Sequence, residues 1–538
     1  MMSEPTPKII LHNGRLHTLD PLLPSATALA VTGKQITAVG GDADILSMAG
    51  PKTRVINLDG RLVLPGLWDT HFHFFEWAKN LDSLALEKAD SFSRMEEMIR
   101  ERASRVPEGT WILGQGFNES EWPENRMPDR KDLDRAAPDH PVCIWRCDCH
   151  LAVANSRALE AAGIGNGFKA PEGGVVVTDD RGEPTGVLKE LAINLISAQV
   201  PALTRAQLMD NLEKASARAH ALGLTAIHDV RLMGGEDGAE SLSVWQQFHR
   251  AGRLQLRCHV SLPGETVEQA CQLGLTTGFG DDTLRIGWVK FFADGGMGAR
   301  TGWMTEPYLD ADFGMPLTPV EDIQRGVTMA DRAGLSCMVH AIGDRACREM
   351  IQMFARVEAA GQSNCHLPHR LEHIQMILPE DLDRMARLKN LAASCQPNNL
   401  SLDISMIDQC AGERGKFAYS LKPIMETGLP LMLNSDAPVA DPNPFAGIYS
   451  AVSRKRMNRT PAGGWYPEHR LTVEAALKAY TLTPARVSGC GDILGSLTPG
   501  KYADIVVADR DIFSVDPDTL AETKVDFTLF DGNIVHGS

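Results

Sequence analysis

Short hydrophobic runs with alternating polarity mark both ends of the chain. Near the N-terminus, runs separated by Gly and Asn turns predict strands at about 8–11, 15–18, 28–31, 35–39 and 54–58. The C-terminal end repeats this pattern at about 504–508, 525–530 and 534–536. Two β-rich ends around a long middle stretch predict one small β-sandwich domain, built from residues 1–62 and 490–538.

The middle stretch, residues 63–489, alternates apolar runs with segments of helical periodicity. Runs that predict strands lie near 63–72, 142–147, 224–230, 255–262, 286–293, 335–340, 370–374, 391–396 and 429–435. Helical segments such as 206–222 and 320–333 separate most of them, which is typical of a parallel α/β arrangement. Eight of these strands suit a TIM-like (β/α)8 barrel. The ninth, 142–147, lies in a stretch rich in Gly, Pro and Trp, so we predict that about 78–205 is an insertion after the first barrel strand, covering the barrel mouth.

Composition narrows the class of protein. With 538 residues, 43% of them hydrophobic and 23% charged, the chain is too long for one compact core. The formal net charge of −16 argues against a nucleic-acid-binding surface. No apolar run is long enough to span a bilayer, and the N-terminus has no charged-then-apolar signal pattern. The 11 cysteines form no framework, so we expect reduced thiols in a cytoplasmic protein that has no membrane or nucleic-acid partner.

His71 and His73 end the first predicted barrel strand. Alternation along a strand points residues i and i+2 to the same face, so the two imidazoles leave the strand side by side. That arrangement suits two ligands of one metal ion, and Asp69 falls on the same face. A single His-x-His pattern is weak evidence, because many such patterns are incidental.

Further candidate ligands end other predicted strands: Lys290 lies inside an apolar run, His340 and His373 end two more, and Asp436 follows another. Each has an ordinary explanation, such as a hydrogen-bonded histidine, a snorkelling lysine or a turn aspartate. Parallel barrel strands would bring all four to one cavity, and this joint pattern favours a metal site. Because a buried lysine is costly as a cation, Lys290 makes better sense as a neutral amine that forms a carbamate with carbon dioxide.

The order of these residues resembles the amidohydrolase superfamily of metal-dependent hydrolases. The finer similarity is to amidohydrolase family 3, which includes N-substituted formamide deformylase-like proteins. The motifs that carry the resemblance lie at 64–66, 150–159, 182–190, 289–295, 339–344, 370–373, 435–438 and 495–504, so it covers nearly the whole chain.

The resemblance implies a TIM-like barrel, a small β-sandwich from the termini, and zinc or a similar divalent ion. It implies that His71, His73 and Asp436 hold one ion and that His340 and His373 hold a second. Carboxylated Lys290 would bridge the two ions. Some relatives have one ion, so a single ion is the alternative, and a homodimer is a family-level expectation.

The hypothesis for the reaction is attack by a hydroxide bound to the metal, which lowers the pKa of its water to near neutrality. Asp436 would accept the proton of that water and deliver it to the leaving nitrogen. A donor such as His340 or His150 would stabilise the oxyanion. His150 lies in the insertion and matches a family motif.

Weaker candidates for substrate contact also follow from the motifs and the aromatic residues. They are Glu190, Arg300 and Trp303.

The function favoured by these residues is hydrolysis of a C–N bond in an amide, formamide or carbamate-like small molecule. An esterase, a lactonase or a ring deaminase on the same metal site remains an alternative. A binding protein without catalysis is disfavoured, because all six expected ligand positions are filled, although fold alone would not establish activity. The sequence does not identify the substrate, the number or kind of metal ions, the oligomeric state or the role of the insertion.

Overall fold

A barrel of eight parallel strands forms the centre of the molecule, in a computed structural model that describes residues 6–81, 83–147, 150–233 and 238–537. The barrel strands, in chain order, are Leu67–Phe72, Leu224–Asp229, Arg257–Pro263, Leu284–Phe292, Cys337–Ala341, His369–His373, Leu391–Cys395 and Leu431–Leu433. We number them barrel strands 1 to 8. The ring is completed at its carboxyl end, where the Asp436 amide donates to the His71 carbonyl (2.8 Å) and the His73 amide donates to the Ala437 carbonyl (2.9 Å).

Both termini form two further sheets, and each of the strands predicted there is present. The four-stranded sheet consists of Gln35–Gly40, Ala28–Thr32, Ile9–His12 and Arg54–Asn57, in spatial order. The six-stranded sheet consists of Asn533–His536, Val525–Phe530, Ile505–Ala508, Leu62–Pro65, Arg15–His17 and Ser25–Ala26. A buried ion pair between Arg257 of the barrel and Asp504 (2.7 Å) ties these sheets to the barrel.

The apolar run 63–72, predicted as one strand, is divided between two sheets. Leu62–Pro65 pairs with Ile505–Ala508, and barrel strand 1 begins only at Leu67. Gly66 separates the two strands, and a Cβ there would lie 2.1 Å from the hydroxyl oxygen of Thr225. The close approach of the backbone to barrel strand 2 therefore needs glycine, and hydrophobicity alone gives no sign of this break.

The insertion lies between barrel strands 1 and 2 and builds its own sheet. Its strands, in spatial order, are Gly174–Thr178, Pro184–Glu190, Leu151–Ala154, Val142–Arg146, Ile112–Phe117 and Leu84–Ala85. The ninth predicted strand therefore belongs to this sheet and not to the barrel. An apolar core around Phe117, Trp122 and Ile144 supports it. The predicted fold class, a TIM-like barrel with terminal sheets and an insertion after its first strand, is confirmed.

Helices cover the outside of the barrel and the insertion. The α-helices span Asp42–Leu46, Phe74–Lys79, Phe92–Ala103, Arg130–Ala136, Ser156–Ala161, Asn194–Ser197, Arg205–Ala221, Gly238–Arg250, Val267–Gln272, Val320–Ala333, Asp344–Ala360, Pro379–Met385, Pro397–Ala411, Leu421–Glu426, Pro444–Ser453, Val473–Ala479 and Leu482–Val487. Short 3-10 helices span Leu86–Lys88, Glu119–Glu121, Leu191–Ile193, Gly264–Thr266, Gly412–Phe417, Pro467–His469 and Pro517–Glu522. Within the described ranges, none of the helices has the length and apolar character needed to cross a membrane.

Candidate metal centre

His71, His73 and Asp436 meet at the carboxyl end of the barrel, as the sequence predicts. The Oδ1 atom of Asp436 lies 3.4 Å from Nε2 of His71 and 3.1 Å from Nε2 of His73. Four ligand atoms at the usual Zn–N and Zn–O distances in a tetrahedron lie about 3.3 Å apart from one another. The spacing of these three atoms therefore suits a shared metal ion.

Hydrogen bonds behind the rings fix which nitrogen of each histidine is bare. Nδ1 of His71 donates to Oε2 of Glu372 (2.5 Å), because a carboxylate oxygen only accepts. Nδ1 of His73 donates to the carbonyl oxygen of Val230 (2.9 Å). Each ring therefore keeps its lone pair on Nε2, the atom beside Asp436, as a metal ligand requires.

His340 lies one residue before the end of barrel strand 5, His373 ends barrel strand 6, and both stand beside this group. Their ring centroids lie 4.3 Å apart, and the His373 ring is 4.9 Å from the His71 ring. One ligand atom each of His71, His373 and Asp436 lies within 4.8 Å of the other two. Both predicted halves of the site thus converge on one region.

Among the six predicted ligands, two buried atoms have no hydrogen-bond partner in the described parts of the chain. They are Nε2 of His373 and Oδ1 of Asp436. A buried polar atom without a partner is costly, so it marks a place where another group binds. Bare imidazole nitrogens and a carboxylate oxygen are ligands that zinc prefers, and the residues therefore fit a divalent metal ion.

Burial keeps the imidazoles in the form that binds metal. Loss of hydration lowers the pKa of His71, His340 and His373 well below the usual histidine value. Burial opposes ionisation of Asp436, but His71, His73 and Lys290 outweigh that effect and lower its pKa. Metal ligands need this combination of neutral imidazole rings and an ionised carboxylate.

Lys290 projects from barrel strand 4 into the same cluster. Its Nζ atom lies 3.3 Å from Nε2 of His71 and 4.7 Å from the centre of the Phe292 ring. The side chain is 2% exposed, and this burial lowers the pKa of its amine to about 8. A lysine of lowered pKa supplies neutral amine more readily than an exposed one, which the predicted carbamate needs.

A buried ion pair holds the hydrogen-bond acceptor of His71 in place. Glu372, the hydrogen-bond acceptor of His71, is paired with Arg370, whose Nη2 also donates to the carbonyl oxygen of Thr70 (2.6 Å). Both side chains are 0% exposed. The pair holds the Glu372 carboxylate against His71 and makes that ring a stronger ligand.

The hydrogen-bond acceptor of His373 is a neutral amide, whereas that of His71 is a carboxylate. Its Nδ1 donates to Oε1 of Gln396 (3.1 Å), and Nε2 of Gln396 donates to Oδ1 of Asn434 (2.9 Å). Asn434 in turn donates to Ser394 (2.9 Å), which accepts from Arg370 (3.1 Å). A continuous buried hydrogen-bond network therefore links the supports of His71 and His373 and orients both rings.

The insertion brings His150 and Glu190 to the same place. Nδ1 of His150 donates to Oε2 of Glu190 (2.8 Å), and the Thr301 hydroxyl donates to the other carboxylate oxygen (2.5 Å). The His150 ring lies 5.7 Å from the His340 ring. A Cβ at Gly296 would lie 2.8 Å from the His150 ring, so this close approach depends on glycine.

A cavity of about 510 Å³ opens onto the metal centre. Among the predicted site residues, the six metal ligands, His150 and Glu190 line this cavity.

Arg300 and Trp303 were predicted to contact substrate, but neither lines the cavity. Arg300 is paired with Asp310 (2.8 Å), outside the cavity. The Trp303 amide donates to Asp294 (2.7 Å), and the Arg345 guanidinium lies 4.5 Å from its ring centre. Local hydrogen bonds and stacking thus account for both side chains.

The sequence did not assign a role to Glu372, Arg370 or Gln396. Gln396 directly follows barrel strand 7, so its position at the end of a strand, the criterion that selected His340 and His373, would also have selected it. Glu372 lies within a motif that the sequence comparison used, but its partner His71 is 301 positions away. Only the closed barrel reveals that pair.

Comparisons with known proteins agree with this geometry. A family model described as "Amidohydrolase family" matches residues 54–536. The chain is 31% identical to the putative amidohydrolase YtcJ of Bacillus subtilis (strain 168) over 536 residues, which cover 98% of this chain and 99% of the relative. It is 26% identical to the N-substituted formamide deformylase of Arthrobacter pascens over 551 residues, which cover 97% of each chain.

A solved structure extends the similarity to three dimensions. The crystal structure of an uncharacterized metal-dependent hydrolase from Pyrococcus horikoshii OT3 matches with a TM-score of 0.74 and 26% sequence identity. The match covers 95% of this chain and 99% of that chain, so the barrel, the terminal sheets and the insertion are compared together.

Proposed function

The chain belongs to the amidohydrolase family and is a metal-dependent hydrolase, and on this premise we propose that it cleaves a C–N bond in a small molecule. The bond is that of an amide, a formamide or a carbamate-like group. The name of one relative, an N-substituted formamide deformylase, supports this choice of bond.

One observation carries the proposal. The imidazoles of His71, His73 and His373 and the carboxylate of Asp436 converge at the floor of a cavity large enough for a small molecule. Pockets of this size and position are typical of enzyme sites in barrels.

The residues then have distinct tasks. A divalent ion held by these ligands supplies an activated water and polarises the substrate carbonyl. The carboxylate of Asp436 would accept the proton of the attacking water as the water oxygen forms a bond to the carbonyl carbon. The same carboxylate would then deliver the proton to the leaving nitrogen as the C–N bond breaks. Burial of the site excludes bulk water, which would compete for that proton.

His150 is the second group proposed to act on the substrate. Its Nδ1–H faces Glu190, so a proton on Nε2 is stabilised by a buried carboxylate (2.8 Å). That Nε2–H donates a hydrogen bond to the oxyanion. His340 is less suited to this task, because its Nε2 faces the Gly295 carbonyl (3.4 Å), which leaves only Nδ1 for another partner.

We also propose that the metal is zinc, that two ions bind, and that carboxylated Lys290 would hold both of them. Zinc suits a mixed imidazole and carboxylate ligand set. The Lys290 amine forms a bond to the carbon of carbon dioxide and releases one proton, which leaves an anionic carbamate. Its position beside His71 (3.3 Å) supports this role. A homodimer stays a family-level prediction.

Two measurements test the proposal. Elemental mass spectrometry of protein purified without chelator should find about two zinc equivalents per chain, whereas one equivalent would contradict the bridge. A panel of N-formyl amines, N-acyl amino acids, carbamates, esters and cyclic amides should give hydrolysis of a C–N substrate. Turnover of esters or lactones alone would contradict the proposed bond, and a chain that binds no metal would contradict the reaction.

A further inference from the structure

An imidazole and a guanidinium face each other inside the barrel. His228 of barrel strand 2 is 1% exposed, and Arg370 of barrel strand 6 is 0% exposed. Nη1 of Arg370 donates to Nδ1 of His228 (2.6 Å), because a guanidinium nitrogen only donates. Both groups also pack on Trp288, whose ring centroid is 5.0 Å from that of His228 and 4.9 Å from Cζ of Arg370.

Hydrogen bonds on both sides of the ring fix the tautomer of His228. Since Nδ1 accepts, the proton of the neutral ring lies on Nε2, which donates to the hydroxyl oxygen of Ser488 (3.0 Å). Burial and the charge of Arg370 lower the pKa of His228 well below the usual histidine value, so the ring stays neutral. His228 therefore presents a bare nitrogen to the guanidinium from a fixed position.

The same guanidinium holds the carboxylate that supports His71. Nη2 of Arg370 donates to Oε2 of Glu372 (3.2 Å) and to the Thr70 carbonyl (2.6 Å). Oε2 of Glu372 is also the atom that accepts from Nδ1 of His71 (2.5 Å). A buried N–H group without an acceptor is costly, so a guanidinium that loses His228 should shift toward another acceptor, and Glu372 should move with it.

We propose that His228 is a positioning residue of the metal centre, which acts on His71 through Arg370 and Glu372. This inference rests on the proposed metal-dependent hydrolysis and adds a residue to its machinery. His228 does not line the cavity, so it acts on the metal ligand and not on the substrate. Its bare nitrogen keeps the Glu372 carboxylate where it makes His71 a stronger ligand.

Three substitutions separate the acceptor from the bulk of the side chain. In His228→Asn the amide oxygen is as many bonds from the backbone as Nδ1 of histidine, so it can accept from Arg370. His228→Leu has nearly the shape of the asparagine variant but no acceptor. In His228→Gln the amide lies one bond further out, toward Ser488. We expect the leucine and glutamine variants to lose about tenfold in zinc affinity, and the asparagine variant to stay within about threefold of the parent protein.

His259→Leu is the matched control from the same part of the barrel interior. His259 is 2% exposed, and its ring centroid is 4.9 Å from that of His228. Its Nδ1 has no hydrogen-bond partner within the described ranges, so this atom is not an acceptor for Arg370. The control should bind zinc as tightly as the parent protein.

Zinc affinity is measured on the full chain by competition with a chromophoric chelator, and thermal unfolding confirms that each variant is folded. Equal affinities in His228→Asn and His228→Leu would overturn the inference. An equal loss in His259→Leu would also overturn it, because packing and not the acceptor would then be responsible. If His228→Leu yields no folded protein, the two polar variants decide, and equal affinities in His228→Asn and His228→Gln would overturn the inference. A parent protein that binds no zinc would instead overturn the proposed function.

Discussion

The rim of the barrel and the wall built by the insertion face the same cavity but differ in chemistry. The rim carries titratable side chains at the ends of rigid strands, and hydrogen bonds orient each of them, as Glu372 orients His71. The wall presents apolar side chains such as Trp145 and Leu203 on shorter strands and connecting segments. From this difference we expect the rim to determine the reaction and the wall to determine which molecule undergoes it.

Removal of the metal should have the largest effect and should affect the rim alone. We expect dialysis against a chelator to abolish hydrolysis and to lower the thermal midpoint, because an ion that binds only the folded state stabilises it. Added zinc with bicarbonate should restore both, as followed by elemental mass spectrometry and thermal unfolding. Full activity in metal-free protein would contradict the assignment of the rim.

Asp436→Asn should have the next largest effect. The amide keeps the shape of the side chain but cannot accept the proton of the attacking water. Loss of general acid–base catalysis should lower kcat by about 10²- to 10⁴-fold. The unfolding midpoint should remain close to that of the parent protein.

Asp310→Asn is the matched control, because Asp310 is paired with Arg300 outside the cavity. It should leave kcat unchanged. Near-normal turnover in Asp436→Asn would remove Asp436 from its proposed role in proton transfer.

Glu372→Gln should weaken metal binding without contacting the metal. The glutamine can still accept from Nδ1 of His71, but it removes the charge that makes this ring a stronger ligand. Loss of such a supporting carboxylate should reduce zinc affinity about 10- to 100-fold, as measured by competition with a chromophoric chelator. Glu380→Gln provides the control, since Glu380 is exposed and pairs with Arg348 (2.7 Å). Wild-type zinc affinity in Glu372→Gln would show that the Glu372–His71 contact is structural only.

Strand alternation explains why part of the rim could be predicted. Met338 and His340 share a face of barrel strand 5, and Met338 packs inside the barrel with Trp288. A histidine two positions later must therefore point into the barrel, near its carboxyl end. The same alternation puts Lys290, two positions after Trp288, on the inner face of barrel strand 4.

The rule does not explain His373. On barrel strand 6 the residues Arg370 and Glu372 point inward, so alternation alone would send His373 outward with Leu371. The left-handed backbone at His373 (φ 69°) turns its ring into the site instead. Pairing also shifts in barrel strand 1 between Asp69 and Phe72, which is a bulge that re-aims side chains. Hydrophobic periodicity does not encode either feature.

The wall was less predictable than the rim for a physical reason. Its apolar side chains come from short strands and connecting segments, so no ligand spacing distinguishes those that face the cavity from those that form a core. Trp122 lies among polar residues and Trp145 lies in an apolar run. Yet Trp122 is buried in the insertion core, and Trp145 lines the cavity.

Leu203→Ala should have the smallest effect and should affect the wall alone. Removing part of an apolar contact surface should raise KM for an uncharged amide about three- to tenfold, while kcat and zinc content stay unchanged. Leu273→Ala is the control, because Leu273 is 76% exposed and lies outside the cavity. If Leu203→Ala instead lowers kcat or zinc content, the wall contributes to the metal centre, and the division of labour between the two regions fails. If KM rises and kcat stays unchanged, the wall affects only the binding of the substrate.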